Sequence, residues 1–134
     1  VFVDTSGFFA QLVQRDDRHK QAVRYLKQAA TRRQILVTTD HVLDETATLL
    51  KARGHGHLIA RWMDAVIHSS VYREEWTDSA RFARVWTYFL KHDDQAWSFT
   101  DCVSFCVMEE LRLRDALTKD RHFTAAGFRT LLSD

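Results

Sequence analysis

Three short runs suited to β-strands punctuate this chain: VFV at 1–3, ILVTT at 35–39, and the apolar part of DALTKD at 115–120. Between them apolar residues return every three or four positions, the period of helices that bury one face. A weaker alternating run, VYREEW at 71–76, adds a candidate edge strand. Strands separated by helices pair in parallel, because each crossover returns the chain to the same end of the sheet. The continuous apolar start of ILVTT suits a strand covered on both faces. The expected fold is α/β, a three-layer α/β/α arrangement around a small, mostly parallel sheet of four to five strands.

The helical stretches have readable bounds. One runs from about Ser6 to Arg15, and a second, capped by Asp17, reaches about Thr31. A third, capped by Asp40, runs to Arg53 and is closed by Gly54. His55 to His68 reads as helical, Thr77 or Asp78 starts another helix, and Ser98 to Arg114 is a nearly all-apolar central one. The remaining residues read as a short coda. Proline is absent and glycine numbers four, so regular structure and short connections dominate. With no linker, repeat or low-complexity tract, residues 1–134 are expected to form one domain.

Composition narrows the class. Hydrophobic residues at 46% and charged residues at 28% suit a soluble globular protein, and no apolar stretch has the length of a membrane span. Cys102 and Cys106 lie four apart in an apolar helix, which suits buried free thiols in a reduced, cytoplasmic protein. The net charge of +1 announces no nucleic-acid binder, although acids gathered in a site leave a basic remainder elsewhere. The chain begins at Val1 without a methionine, so the first strand is read as trimmed.

Four carboxylates stand out, each with a bland reading beside it. Asp4 ends the first strand, where it can cap the next helix, but Thr5 and Ser6 can cap equally well. Glu45 borders the buried stripe of its helix with Val42 and Leu49, whereas Asp44 faces solvent. Asp101 completes a Ser98-x-x-Asp101 pattern resembling a capping box, in the first turn of the central helix. Asp120 ends the last strand, where a turn or an N-cap would also explain it. Strand ends in a parallel sheet carry functional side chains. Four converging carboxylates repel unless a divalent cation neutralises them, and oxygen-only ligation selects Mg²⁺ or Mn²⁺. Such a cluster suits phosphodiester hydrolysis.

The stretches VFVDTS (1–6), TTDHVLDETATLL (38–50), WSFTDCVSFCVMEE (97–110) and DALTKDRHFTAAGF (115–128) together resemble a PIN domain, specifically a VapC-type toxin of a type II toxin–antitoxin system. The resemblance implies a metal-dependent endoribonuclease holding Mg²⁺ or Mn²⁺ on Asp4, Glu45, Asp101 and Asp120, with a hydroxyl of Thr5 or Ser6 assisting. It also implies an RNA substrate, a VapB-like antitoxin and a homodimer.

Other residues carry weaker signals. Lys119, Arg121, Arg112 and Arg114 are candidate contacts to RNA phosphates, and Arg15, Arg18, Lys20 and Arg24 form a second basic group. HGH at 55–57 lacks the further ligands that zinc needs. Trp97 and Phe99 can pack or stack on a base. Two rival functions remain open from sequence: a phosphatase with Asp4 as nucleophile, and a PIN-like nucleic-acid-binding module without catalysis.

Overall fold

The structure, a computed structural model, describes residues 1–132. Five strands and seven α-helices follow in order: β1 (Phe2–Val3), α1 (Thr5–Leu12), α2 (His19–Thr31), β2 (Leu36–Thr39), α3 (Asp40–Ala52), α4 (Ile59–Ile67), β3 (Tyr72–Glu75), α5 (Ser79–Lys91), α6 (Phe99–Glu110), β4 (Asp115–Leu117), α7 (Arg121–Ala125) and β5 (Arg129–Thr130). A single 3₁₀ turn, Gly56–Leu58, leads into α4.

All strand pairs are parallel, in the order β3-β2-β1-β4-β5. The first strand is therefore the central one, and Phe2 is flanked by Val37 and Ala116. Successive strand residues point to opposite faces. Phe2 and Val3 are both fully buried, and all four residues of β2 are buried, so helices cover the sheet on each side. This is the expected three-layer α/β/α fold. VYREEW supplies the edge strand β3, as its weak alternation predicts.

The core beneath β1 is aromatic. Phe105 of α6 meets Phe123 of α7 edge-on at 4.9 Å, and Phe123 in turn contacts Phe2. On the other flank Phe8 packs edge-on against Trp62 at 5.2 Å. Cys102 is buried and Cys106 half-buried, both free thiols. Among the described residues no helix is long and apolar enough to cross a membrane. At Gly7, α1 presses against β4 so closely that a Cβ would lie 2.1 Å from the carbonyl oxygen of Leu117.

Several boundaries differ from the sequence expectation, each for a local reason. α1 stops at Leu12 instead of Arg15, because the chain turns through Asp16, whose carbonyl accepts from His19 and whose carboxylate accepts from the Arg18 N–H. Arg18, not Asp17, occupies the N-cap of α2. Thr39 caps α3 by accepting from Val42 at 3.1 Å. Asp40 instead accepts from the Thr77 backbone and hydroxyl, tying α3 to the segment before α5. α6 ends at Glu110 in a Schellman closure: Arg112 takes φ 55°, Leu113 donates to the Met108 carbonyl at 2.8 Å, and Arg112 donates to Glu109. The expected coda is a helix and a strand, α7 and β5.

Candidate metal centre

Asp4 leaves β1 with extended backbone (φ −93°, ψ 172°) and occupies the N-cap position of α1, yet its side chain makes no capping bond into the helix. Only 5% of Asp4 is exposed. Its Oδ2 accepts from the Thr118 hydroxyl at 2.9 Å. Burial pushes this carboxyl up to about 7; the Thr5 backbone and Thr118 hydrogen bonds oppose that rise, and the nearby charges of Asp101 and Glu45 add to it. Capping therefore does not explain Asp4. A buried carboxylate facing two other acids is the arrangement a cation relieves.

Thr118 is the hub of the site. It is fully buried at the end of β4. Its one hydroxyl proton goes to Asp4, so its oxygen accepts from the Asp120 N–H at 3.0 Å and from the Ser6 hydroxyl at 2.9 Å. Ser6 in turn accepts from the Lys119 N–H at 3.0 Å. One threonine thus fixes the ends of β1 and β4 against each other. Replacing it with the isosteric valine leaves three polar groups short of a partner. We expect Thr118→Val to cost roughly 1–3 kcal/mol in urea denaturation and to weaken Mn²⁺ binding by about 10–100-fold in calorimetry, with Thr118→Ser close to wild type.

Asp101 both caps and converges. The Ser98 hydroxyl accepts from the Asp101 N–H at 3.0 Å, and Asp101 Oδ2 accepts from the Ser98 N–H at 3.1 Å, a complete capping box. The same Oδ2 is 2.9 Å from His122 Nδ1. Asp101 is 8% exposed. Asp120 caps α7 by accepting from the His122 N–H at 2.9 Å. Hydrogen bonding to Asp101 raises the His122 imidazole above its usual value; partial burial opposes this, and the charges of Asp120 and Asp101 add to it.

One ligand atom from each of Asp101, Asp120 and His122 lies within 4.8 Å of the others. Among the described residues this is the one group of acids, histidines or cysteines spaced to hold a metal. His55 and His57, whose rings are 6.3 Å apart, belong to no such group. Two of the three members of the Asp101, Asp120 and His122 group are carboxylates, whose hard oxygens suit Mg²⁺ or Mn²⁺. Asp4 and Glu45, expected to join Asp101 and Asp120, are not in that group, and Asp4 meets Asp101 and Glu45 through charge.

Glu45 is exposed on α3, as is Asp44, but its charge reaches Asp4. Thr5 is buried and accepts from the Thr46 hydroxyl at 3.3 Å. Lys119 and Arg121 flank Asp120 and, with Arg18, line a groove of about 500 Å³. Arg112 and Arg114 precede β4 and so sit at the opposite end of that strand from Asp120. Trp97 is a packing residue, edge-on to Phe105 at 5.1 Å. Sequence reasoning passed over Thr118 and His122. The second was detectable: a helix capped by Asp120 brings its second residue back toward the cap.

Comparison with known proteins agrees with this geometry. The PIN domain family matches residues 1–129. The 23S rRNA-specific endonuclease VapC20 of Mycobacterium tuberculosis is 37% identical over 128 residues, 96% of this chain and 95% of that protein. A VapC ribonuclease of Archaeoglobus fulgidus is 30% identical over 115 residues, 84% of this chain and 72% of that protein. The crystal structure of Mycobacterium tuberculosis VapC20, described as a Sarcin-Ricin loop cleaving toxin, superposes with a TM-score of 0.82 at 36% identity, covering 95% of each chain. A buried acid at the end of the central strand, the group of Asp101, Asp120 and His122, and this span of similarity place the chain in the PIN-domain family, within its VapC group.

Proposed function

We propose that this chain is a metal-dependent endoribonuclease that acts as the toxin of a VapBC-type pair and uses Mg²⁺ or Mn²⁺. The observation that carries the reading is Asp4: buried, not capping, and electrostatically coupled to Asp101 and Glu45. Asp4 and Asp101 are the primary ligands, Glu45 binds directly or through water, and Asp120 supports a second ion or orients the attacking water. The bound ion supplies Lewis acidity to the phosphoryl group and lowers the pKa of water. The chain's own residues do the rest. Thr118 holds Asp4 toward the cluster, Ser6 ties the Lys119 backbone to that hub, and Thr5 steadies the first turn of α1. Lys119 and Arg121, with Arg18 beside them, offer positive charge along the groove where an RNA backbone would pass. Their distance from Asp120 favours them over Arg112 and Arg114.

The partners follow from the same reading. Phe82, Trp86 and Leu90 leave one face of α5 half-exposed and apolar, which supports a homodimer. A VapB-like antitoxin is the expected inhibitor. An aspartate-nucleophile phosphatase is disfavoured, because the position two residues beyond Asp4 is Ser6, already engaged by Thr118 and Lys119.

Similarity to VapC20 makes large-subunit ribosomal RNA the first substrate to test. We expect cleavage with Mg²⁺ or Mn²⁺, products bearing 5′-phosphate and 3′-hydroxyl ends, and complete loss of cleavage in excess EDTA. Chelator-resistant cleavage, or 2′,3′-cyclic phosphate ends, would refute the metal-dependent reading.

A further inference from the structure

His122 touches two acids of the cluster at once, by different atoms. Its backbone N–H donates to Asp120 Oδ1 at 2.9 Å, and its ring Nδ1 lies 2.9 Å from Asp101 Oδ2. An ionised carboxylate is an acceptor only, so the proton of that second bond sits on Nδ1. Nδ1 then has no lone pair for a metal; Nε2 keeps one, but the hard ions Mg²⁺ and Mn²⁺ prefer the carboxylate oxygens beside it. Asp101 Oδ2 is likewise committed, since it also accepts from the Ser98 N–H. The less occupied oxygen of Asp101 is Oδ1. Asp120 Oδ1 is engaged by the His122 backbone, which makes Oδ2 its less occupied oxygen.

From this geometry we infer that His122 is a positioning residue, a clamp that locks the Asp101 and Asp120 side chains so that one oxygen of each faces the ion, and that it is not itself a ligand. The inference rests on the proposed metal-dependent function and adds to it the device that sets the ligand geometry. It also links α6 to α7: without the ring, Asp101 keeps only its own capping box and nothing ties it to the Asp120 turn through this residue. Partners of this kind orient metal-binding carboxylates, and their loss usually weakens metal binding by about 10–100-fold.

Isosteric substitutions separate clamp from ligand. The amide nitrogen of asparagine reproduces the place of Nδ1, whereas that of glutamine reproduces Nε2. We expect His122→Ala to weaken Mn²⁺ binding by about 10–100-fold in calorimetry, His122→Asn to stay within about threefold of wild type, and His122→Gln to behave like alanine. Pulsed EPR of the Mn²⁺-loaded wild type should show no directly bonded nitrogen. In the metal-free protein at pH 8, long-range ¹H–¹⁵N spectra should show His122 as the Nδ1–H tautomer. An Nε2–H tautomer, unchanged binding by His122→Ala, or rescue by glutamine with a bound nitrogen signal would each overturn the clamp. A wild type that binds no Mn²⁺ would instead overturn the metal-dependent function, and the tautomer spectrum would still judge the hydrogen bond.

Discussion

Asp4→Asn should abolish metal-dependent RNA cleavage, by on the order of 10³-fold, and at the same time make the metal-free protein more stable. The two effects share one cause. In the folded chain the Asp4 carboxyl titrates near 7, against an ordinary value of 3.8, chiefly because it is buried. Between those values the folded state binds more protons than the unfolded state. Stability of the metal-free protein therefore falls as pH rises through that window, and the penalty is complete above about pH 7. A shift of this size corresponds to at most about 4 kcal/mol. Asparagine is nearly the same shape, can still accept from Thr118, and carries no charge. In thermal melts with EDTA at pH 8 we expect Asp4→Asn to gain roughly 2–3 kcal/mol over wild type, with the gain vanishing near pH 4. Adding Mg²⁺ should stabilise wild type and leave the variant unmoved. A variant no more stable than wild type at pH 8 would mean that the Asp4 charge is not buried uncompensated.

Gly7→Ala is the largest stability loss we expect. The new methyl would start 2.1 Å from the Leu117 carbonyl oxygen, a backbone atom that cannot swing aside. That carbonyl also accepts the Asp4 N–H. Relief requires α1 to lift from β4, which would pull Asp4 away from the Thr118 hydroxyl. The cost should be about 3 kcal/mol or more in urea denaturation. Metal affinity should fall even under conditions where the variant is fully folded. Gly56→Ala is the control, since a Cβ there meets nothing within 4 Å, and it should change stability by less than about 0.5 kcal/mol. Equal losses at the two positions would show that close packing at Gly7 is not what matters.

The parts of this molecule that follow from local chemistry were readable in the sequence. The apolar run ending in Asp4 announced β1 and its carboxyl end, and Ser98-x-x-Asp101 announced a capping box that the structure contains. ALTKD announced β4, but that strand stops at Leu117, and Asp120, expected to end it, caps α7 three residues later. The cap of α3 was misassigned because TTD offers two candidates, and tertiary structure takes Asp40 for Thr77, leaving Thr39 to cap. β5 is only two residues, one of them exposed, and exists through its pairing with β4 rather than through any apolar run. Thr118 looked like ordinary β-branched strand filler. Its role depends on register, which sets it beside Asp4, 114 residues away. Glu45, expected beside its helix's buried stripe, is exposed, and its link to Asp4 is one of charge.

The sheet order has a consequence for synthesis. Of the five strands the middle one comes first in the chain; one edge can pair with β2 early, but the other waits for β4, more than a hundred positions later. Leu132 completes the outer pairing through the Thr118 carbonyl. During synthesis Asp4 therefore cannot meet Asp101 and the Thr118 hydroxyl until those later residues have left the ribosome. Contacts of such long range also make folding slow. That delay gives a binding partner time to reach the finished protein's surface as it forms.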